Sequence, residues 1–203
     1  MTMLKRTSGV VTAAELQARA PGHLPDTHRG SVEIYKGKII TLNRDLVRFP
    51  DGTVNQFEIA RHPGASAVIP FLTDPTGDEP QILLLRQFRY AAGGYLYEIP
   101  AGRLDDGETP IECATRELKE ETGCTAERLM PLTTILTTPG FTDEVIHLFI
   151  ATGLTYGEPN READEFVDLV HIRLSEALEF VRTGDITDSK TALALLYAAG
   201  FHT

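Results

Sequence analysis

The stretch AGRLDDGETPIECATRELKEETGC, Ala101 to Cys124, crowds Glu108, Glu117, Glu120 and Glu121 around a segment that carries its own helix signals. Thr109, Pro110 and Glu112 have the form of a capping box with proline at the first helical position, and Gly123 stands where a helix would end in a left-handed residue. The spacing predicts a helix from about Pro110 to Thr122. At about 100° per residue, Ile111, Ala114 and Leu118 share an apolar stripe, Glu117 and Glu121 lie one turn apart beside it, and Glu120 lies near Glu117. Like charges so placed repel, and a solvated outer face would by itself account for scattered carboxylates. The preceding loop, Gly102 to Gly107, changes that reading: its glycines and Asp105-Asp106 let backbone carbonyls and Glu108 approach the same helix. Carboxylates joined by a backbone carbonyl form the oxygen-only donor set that Mg²⁺ or Mn²⁺ prefers, and such ions are usually shared with substrate phosphates.

The elements that must hold this cluster are short and mostly extended. Ala65 to Leu72 and Gln81 to Phe88 read as buried strands around the turn Asp74 to Pro80, and Tyr95 to Pro100 as a third strand that delivers Glu98 and Ala101 to the helix. Leu132 to Leu136 and Val145 to Ala151 read as strands around the turn Thr138 to Glu144, and Phe166 to Ile172 as another after the polar loop Tyr156 to Glu165. A helix is expected from Ser175 to about Thr183, closed by Gly184, and a last one from Asp188-Ser189, with Ala192, Leu193, Leu195, Leu196 and Ala199 packing inward. Upstream, Thr12 to Ala20 reads as one short helix. Short strands follow at Val32 and Ile34, Ile39 to Leu42, Leu46 to Phe49 and Val54 to Ile59, with hairpin turns at Lys36-Gly37-Lys38 and Pro50-Asp51-Gly52. That piece, residues 1–61, is too thin to bury a core of its own and calls for a partner surface, which a neighbouring subunit would supply.

Composition narrows the function classes. A chain of 203 residues with 42% hydrophobic content suits one domain with a small appendage. The net charge of −10 argues against sequence-independent binding of a nucleic acid polymer, which needs a basic face. An anionic substrate would have to be recruited by metal and local arginines. Cys113 and Cys124 form no spaced metal motif and read as core thiols of a reducing cytosol, and His147 and His171 read as structural. No apolar run reaches membrane-spanning length and the N-terminal residues lack a continuous signal-peptide core, so the expectation is a cytoplasmic protein without membrane association.

Read with its gaps, the stretch is Gly102, five residues, Glu108, seven residues, then Arg116-Glu117-Leu118-Lys119-Glu120-Glu121-Thr122-Gly123 and Cys124. Seven fixed positions at ordinary residue usage coincide at a given start about once in 10⁸ trials. The pattern resembles the Nudix box at every fixed position, with Cys124 where the family has Ile, Leu or Val, a packing role that a small buried thiol fills. The resemblance implies an α/β fold, the Nudix α/β/α sandwich with a mixed β-sheet over residues 62–203, beside the small N-terminal antiparallel sheet. It also implies Mg²⁺-dependent hydrolysis, with Mn²⁺ as the alternative ion, of a nucleoside diphosphate joined to another group. Pro139, 16 residues after Gly123, with PGFTDE and a following strand, resembles the ADP-ribose pyrophosphatase branch. Members of that branch are homodimers with exchanged N-terminal pieces.

Carried onto this chain, the resemblance assigns the metal to Glu117, Glu120, Glu121 and the carbonyl of Ala101, with Arg116 locking the glutamates by ion pairs. Proton removal from the attacking water falls to a loop carboxylate, Glu165 or Glu162. Ahead of the expected diphosphate site Arg86 and Arg89 read as phosphate or ribose clamps, the guanidinium fork matching phosphate oxygens; Glu98 and Gly102 join the substrate-binding set, and the resemblance gives nucleotide recognition to Glu144. Hydrolysis of another nucleoside diphosphate sugar such as GDP-mannose stays open at this point. So does a module that senses a nucleotide without cleaving it, which the intact set of box glutamates disfavours.

Overall fold

The computed structural model describes residues 28–160 and 166–201, and the described residues divide into two compact units. The Thr12–Ala20 segment lies outside them. In the first unit β1 (His28–Lys36), β2 (Thr41–Arg48) and β3 (Val54–Arg61) form an antiparallel sheet in that order. The segments expected separately at Ile39–Leu42 and Leu46–Phe49 belong to one strand, because Asn43, Arg44 and Asp45 between them pair with Ile59, Glu58 and Phe57 and keep the ladder unbroken. Asp45, buried despite its charge, accepts a hydrogen bond from Ser31 at 2.6 Å and pairs with Arg61. Gly140–Asp143 belong to this unit: Arg61 meets Asp143 at 2.9 Å, and the Ala60 amide donates to the Phe141 carbonyl at 2.8 Å.

The second unit contains β4 (Ala65–Pro70), β5 (Gln81–Arg89), β6 (Gly94–Glu98), β7 (Ala101–Arg103), α1 (Pro110–Thr122), β8 (Thr125–Leu136), β9 (Val145–Thr155), β10 (Val167–Arg173), α2 (Leu174–Thr183) and α3 (Ser189–Phe201). Its strands form a four-stranded mixed sheet, β7-β4-β9-β8, with only β4 and β9 parallel, and a three-stranded antiparallel sheet, β10-β5-β6. Side chains alternate along a strand, and that alternation creates two cores. Ala65, Ala67 and Ile69 of β4 with Ile146, Leu148 and Ile150 of β9 face Ala177 of α2 and Ala194, Leu195 and Ala198 of α3. Val68, Leu83, Phe149 and Ala151 face Ala114 and Leu118 of α1, with Cys124 beside them. Helices therefore cover both faces of the strands, an α/β arrangement in layers.

Two helix faces differ from the periodicity reading. Ile111 is 46% exposed, and the inward face of α1 is Cys113, Ala114, Leu118, Glu121 and Thr122. In α3, Leu196 is 52% exposed, and the buried set is Thr191, Ala194, Leu195 and Ala198. Each helix buries one leucine, Leu118 or Leu195, among small or polar neighbours and leaves a second aliphatic residue, Ile111 or Leu196, at the rim. Among the described residues no helix is long and apolar enough to cross a membrane.

Candidate active site

Helix α1 starts and stops where its sequence dictates. The Glu112 carboxylate accepts from the Thr109 amide at 2.9 Å with Pro110 at the first helical position, and Gly123 closes the helix at φ 77°. Gly123 is required for a second reason: a Cβ there would come within 2.2 Å of the Gly157 carbonyl oxygen, so the segment after β9 crosses directly over the end of the helix. That crossing is secured by the Asn160 amide, which donates to the Glu120 carbonyl at 2.9 Å. Ahead of β10, the Phe166 carbonyl accepts from the Phe88 amide at 3.2 Å. Glu162 and Glu165 lie outside the described residues.

Arg116 is the centre of the acidic cluster. Its guanidinium reaches Glu108 at 2.8 and 3.0 Å, Glu117 at 2.6 Å and Glu120 at 3.1 Å, and donates to the Arg103 carbonyl at 3.0 Å. Glu108 also accepts from the Asp105 amide at 3.0 Å. Hydrogen bonding to Arg116 outweighs the opposing effect of burial and, with the Asp105 amide, holds the Glu108 carboxyl down at about 2. Glu121, 3% exposed, accepts from the Ala101 amide at 3.0 Å and so ties α1 to the start of β7. Gly102 makes room for this arrangement: a Cβ at that position would sit 1.7 Å from Glu117 Oε1. Cys113 is buried under the same loop, where burial and then Glu108 push its thiol up to about 11, which makes it an inert packing group.

Three carboxylates share one guanidinium here, a fourth, Glu121 on the same helix, holds the Ala101 amide, and all the candidate donors are oxygens. That set fits a hard divalent cation in donor type and charge. Among the described residues no three acidic, imidazole or thiol groups are arranged around a common ion position. Glu117 and Glu120 are turned onto Arg116 and Glu121 onto the Ala101 amide, so ligation by all three requires carboxylates to turn from these partners.

A second charged cluster lies at the C-terminal end of β6. Glu98, 2% exposed, receives Arg89 in a bidentate pair at 2.7 and 3.0 Å and Lys190 at 2.6 Å. Burial opposes its ionisation, but the two cations prevail and hold its carboxyl below the usual range. Arg89 is held protonated by Glu98 first, and Glu121 and Asp188 add to the effect, so it feels the charge of the box helix. These residues border an open depression of about 400 Å³ lined by Arg89, Ala91, Ala92, Leu96, Glu98, Asp188 and Lys190.

The structure brings Arg89 and Glu98 together and separates Arg86 from them. Strand alternation puts Arg86 on the opposite face of β5 from Arg89, where it pairs with Asp168 at 3.3 Å and lies 4.2 Å over the Tyr95 ring. Glu144, half-buried, immediately precedes β9, with its carbonyl accepting from the Thr137 amide at 3.4 Å. Sequence reasoning missed Lys190, whose partner Glu98 is 92 residues away; the only local signal was its position just after Asp188 at a helix start.

Comparison with known proteins matches this architecture and cluster to one class. A NUDIX domain model covers residues 62–194, and the chain belongs to that family. It is 42% identical to the ADP-ribose pyrophosphatase of Bacillus subtilis (strain 168) over 167 residues, 81% of this chain and 88% of that protein. It is also 42% identical, with the same coverage, to the methanol dehydrogenase activator of Bacillus methanolicus. A crystal structure of an ADP compounds hydrolase superimposes with a TM-score of 0.71 over 85% of this chain and 91% of that one, at 23% identity, a likeness of fold.

Proposed function

We propose that this protein hydrolyses the diphosphate of ADP-ribose to AMP and ribose 5-phosphate with the help of a divalent cation, Mg²⁺ in the first instance. The observation that carries the reading is the cluster around Arg116. Glu108, Glu117 and Glu120 are gathered on one guanidinium, and Glu121 of the same helix holds the Ala101 amide, in a chain whose relative of 42% identity bears the name ADP-ribose pyrophosphatase. Glu117, Glu120, Glu121 and the Ala101 carbonyl would hold the metal, which when bound neutralises diphosphate oxygens and favours attack of water at phosphorus. Arg116 keeps the glutamates ionised and aligned. Arg89, oriented by Glu98, binds phosphate oxygens, and Gly102 lets the chain approach them closely. Glu165 or Glu162 removes the proton from water. The anchoring of Asn160 on Glu120 supports this role, because it roots that loop at the box helix. Arg86 and Glu144 contact the nucleoside side of the substrate.

The small sheet β1–β3 packs on a second copy of the chain in a homodimer. Its exposed Val32, Ile34, Leu46 and Val54 support that assembly, which sedimentation would detect. Residues 1–61 form the exchanged piece and 62–203 the hydrolase domain.

A panel of nucleoside diphosphate sugars with Mg²⁺, read by phosphate release after phosphatase treatment, tests the substrate. The account expects the highest kcat/KM on ADP-ribose. A preference for GDP-mannose or another sugar nucleotide would replace the substrate while keeping the chemistry, and no turnover of any would remove the function.

A further inference from the structure

The amino end of α3 grips the strand that leads into the box at successive residues. Asp188 caps the helix: its carboxylate accepts from the Thr191 amide at 3.0 Å and the Thr191 hydroxyl at 2.6 Å. The Thr191 hydroxyl, fully buried, in turn accepts from the Ile99 amide at 2.9 Å. Lys190 bridges the two carboxylates, Glu98 at 2.6 Å and Asp188 at 2.9 Å. Beyond Ile99 the Pro100 carbonyl accepts from the Val68 amide at 2.9 Å, and the Ala101 amide meets Glu121 at 3.0 Å. Four consecutive residues, Glu98 to Ala101, are therefore each fixed from outside their own strand.

We propose that Lys190 is a positioning residue for substrate binding: by clamping Glu98 against Asp188 it fixes the carboxylate that holds the Arg89 fork at the rim of the depression. The geometry explains why one carboxylate needs two cations. Arg89 engages Glu98 through Nε and Nη2, so any swing of the carboxylate carries the whole guanidinium with it. Arg89 is 42% exposed and takes its orientation from Glu98, whereas Lys190 is only 13% exposed and anchored on a helix. A buried charge held by two hydrogen-bonded partners is stiff, and removal of one leaves the carboxylate room to turn. Lys190 acts through Glu98 and Arg89, without bond making of its own.

This inference rests on the assignment of Arg89 to phosphate oxygens, and the test separates the two. A double-mutant cycle over Lys190→Met and Arg89→Ala would be run on whichever sugar nucleotide the full chain turns over, at saturating Mg²⁺, with Lys190→Arg as the conservative variant. The expected result is a rise in KM of about tenfold for Lys190→Met with kcat changed less than about threefold, and substantial recovery in Lys190→Arg. In the Arg89→Ala background Lys190→Met should then add less than about twofold, because the same route to substrate is already cut. Full additivity, or a loss confined to kcat, would overturn the positioning role while leaving Arg89 as a phosphate contact. An unchanged KM in Arg89→Ala would overturn the phosphate assignment and the inference with it. Thermal unfolding of each variant guards against misfolding: if Lys190→Met does not fold, Asp188→Asn, which removes the charge on the far side of the clamp and keeps an amide oxygen to accept from Thr191, must raise KM in the same non-additive way or the proposal falls.

Discussion

Around Arg116, three carboxylates share one guanidinium, with Glu121 close by; around Glu98, two carboxylates, Glu98 and Asp188, are matched by two cations, Arg89 and Lys190. The first cluster is left with excess negative charge and the second is neutral. A neutral, hydrogen-bonded network is complete in the folded protein and serves to hold geometry. An under-compensated one stores repulsion that a further cation relieves, and the chain places it beside the strand that also offers the Ala101 carbonyl. The contrast separates the residues that should bind metal from those that should place the substrate.

The contrast is broken most sharply at Glu121. Glu121→Gln keeps the shape and removes the charge, so kcat should fall on the order of 10²–10³-fold with far-UV circular dichroism unchanged; retained turnover would remove Glu121 from the metal set. Gly102→Ala comes next. The added Cβ displaces the flexible end of Glu117 and leaves the backbone in place, so activity should fall about tenfold or more while the unfolding temperature stays within a few degrees of the parent. A matching loss of stability would mean that Gly102 serves the fold and not the carboxylate.

Acid titration sharpens the comparison at smaller amplitude. Glu108 is depressed to about 2 from an ordinary value of 4.5. Its contribution to stability is therefore fully present above the unfolded value and is lost as pH falls from about 4.5 towards 2. Glu98, also depressed, gives a loss of the same sign below its unfolded value. Thermal unfolding followed down this range should show Glu108→Gln with a flatter slope than the parent protein; equal slopes would disprove the contribution of Glu108. The smallest effect belongs to Arg86→Ala. Its pair with Asp168 is exposed on both sides, 42% and 69%, so stability should change by less than about 1 kcal/mol. KM should rise less than in Arg89→Ala, and the reverse order would exchange the roles of the two arginines.

What was legible in the sequence follows the range of the forces involved. The limits of α1, Pro110 to Thr122, come from a capping box, a proline and a glycine within the helix's own turn lengths, and the structure reproduces them. The three-residue strand β7 was not legible, because Ala101, Gly102 and Arg103 become a strand only by pairing with Ala67, Ser66 and Ala65 far upstream. The inward faces of α1 and α3 were read in part. Periodicity found Ala114, Leu118 and Leu195 but counted Ile111 and Leu196 as buried, and the choice between neighbouring apolar positions is made by the opposing strands. Of the site, the box glutamates and Arg116 were visible as a pattern. The Lys190–Glu98 clamp was not, since no local spacing links the start of the last helix to the end of β6. The opposite facing of Arg86 and Arg89 follows from strand alternation and was available from their spacing of three.

The most direct test of the central claim, that the carboxylates of α1 and the Ala101 carbonyl form a divalent cation site at which a diphosphate is cleaved, is a crystal grown with Mn²⁺ and a non-hydrolysable ADP-ribose analogue. The account predicts anomalous density for manganese touching Glu117, Glu121 and the Ala101 carbonyl oxygen, with analogue phosphate oxygens completing its shell. Manganese bound elsewhere, or none with the analogue in place, would contradict it.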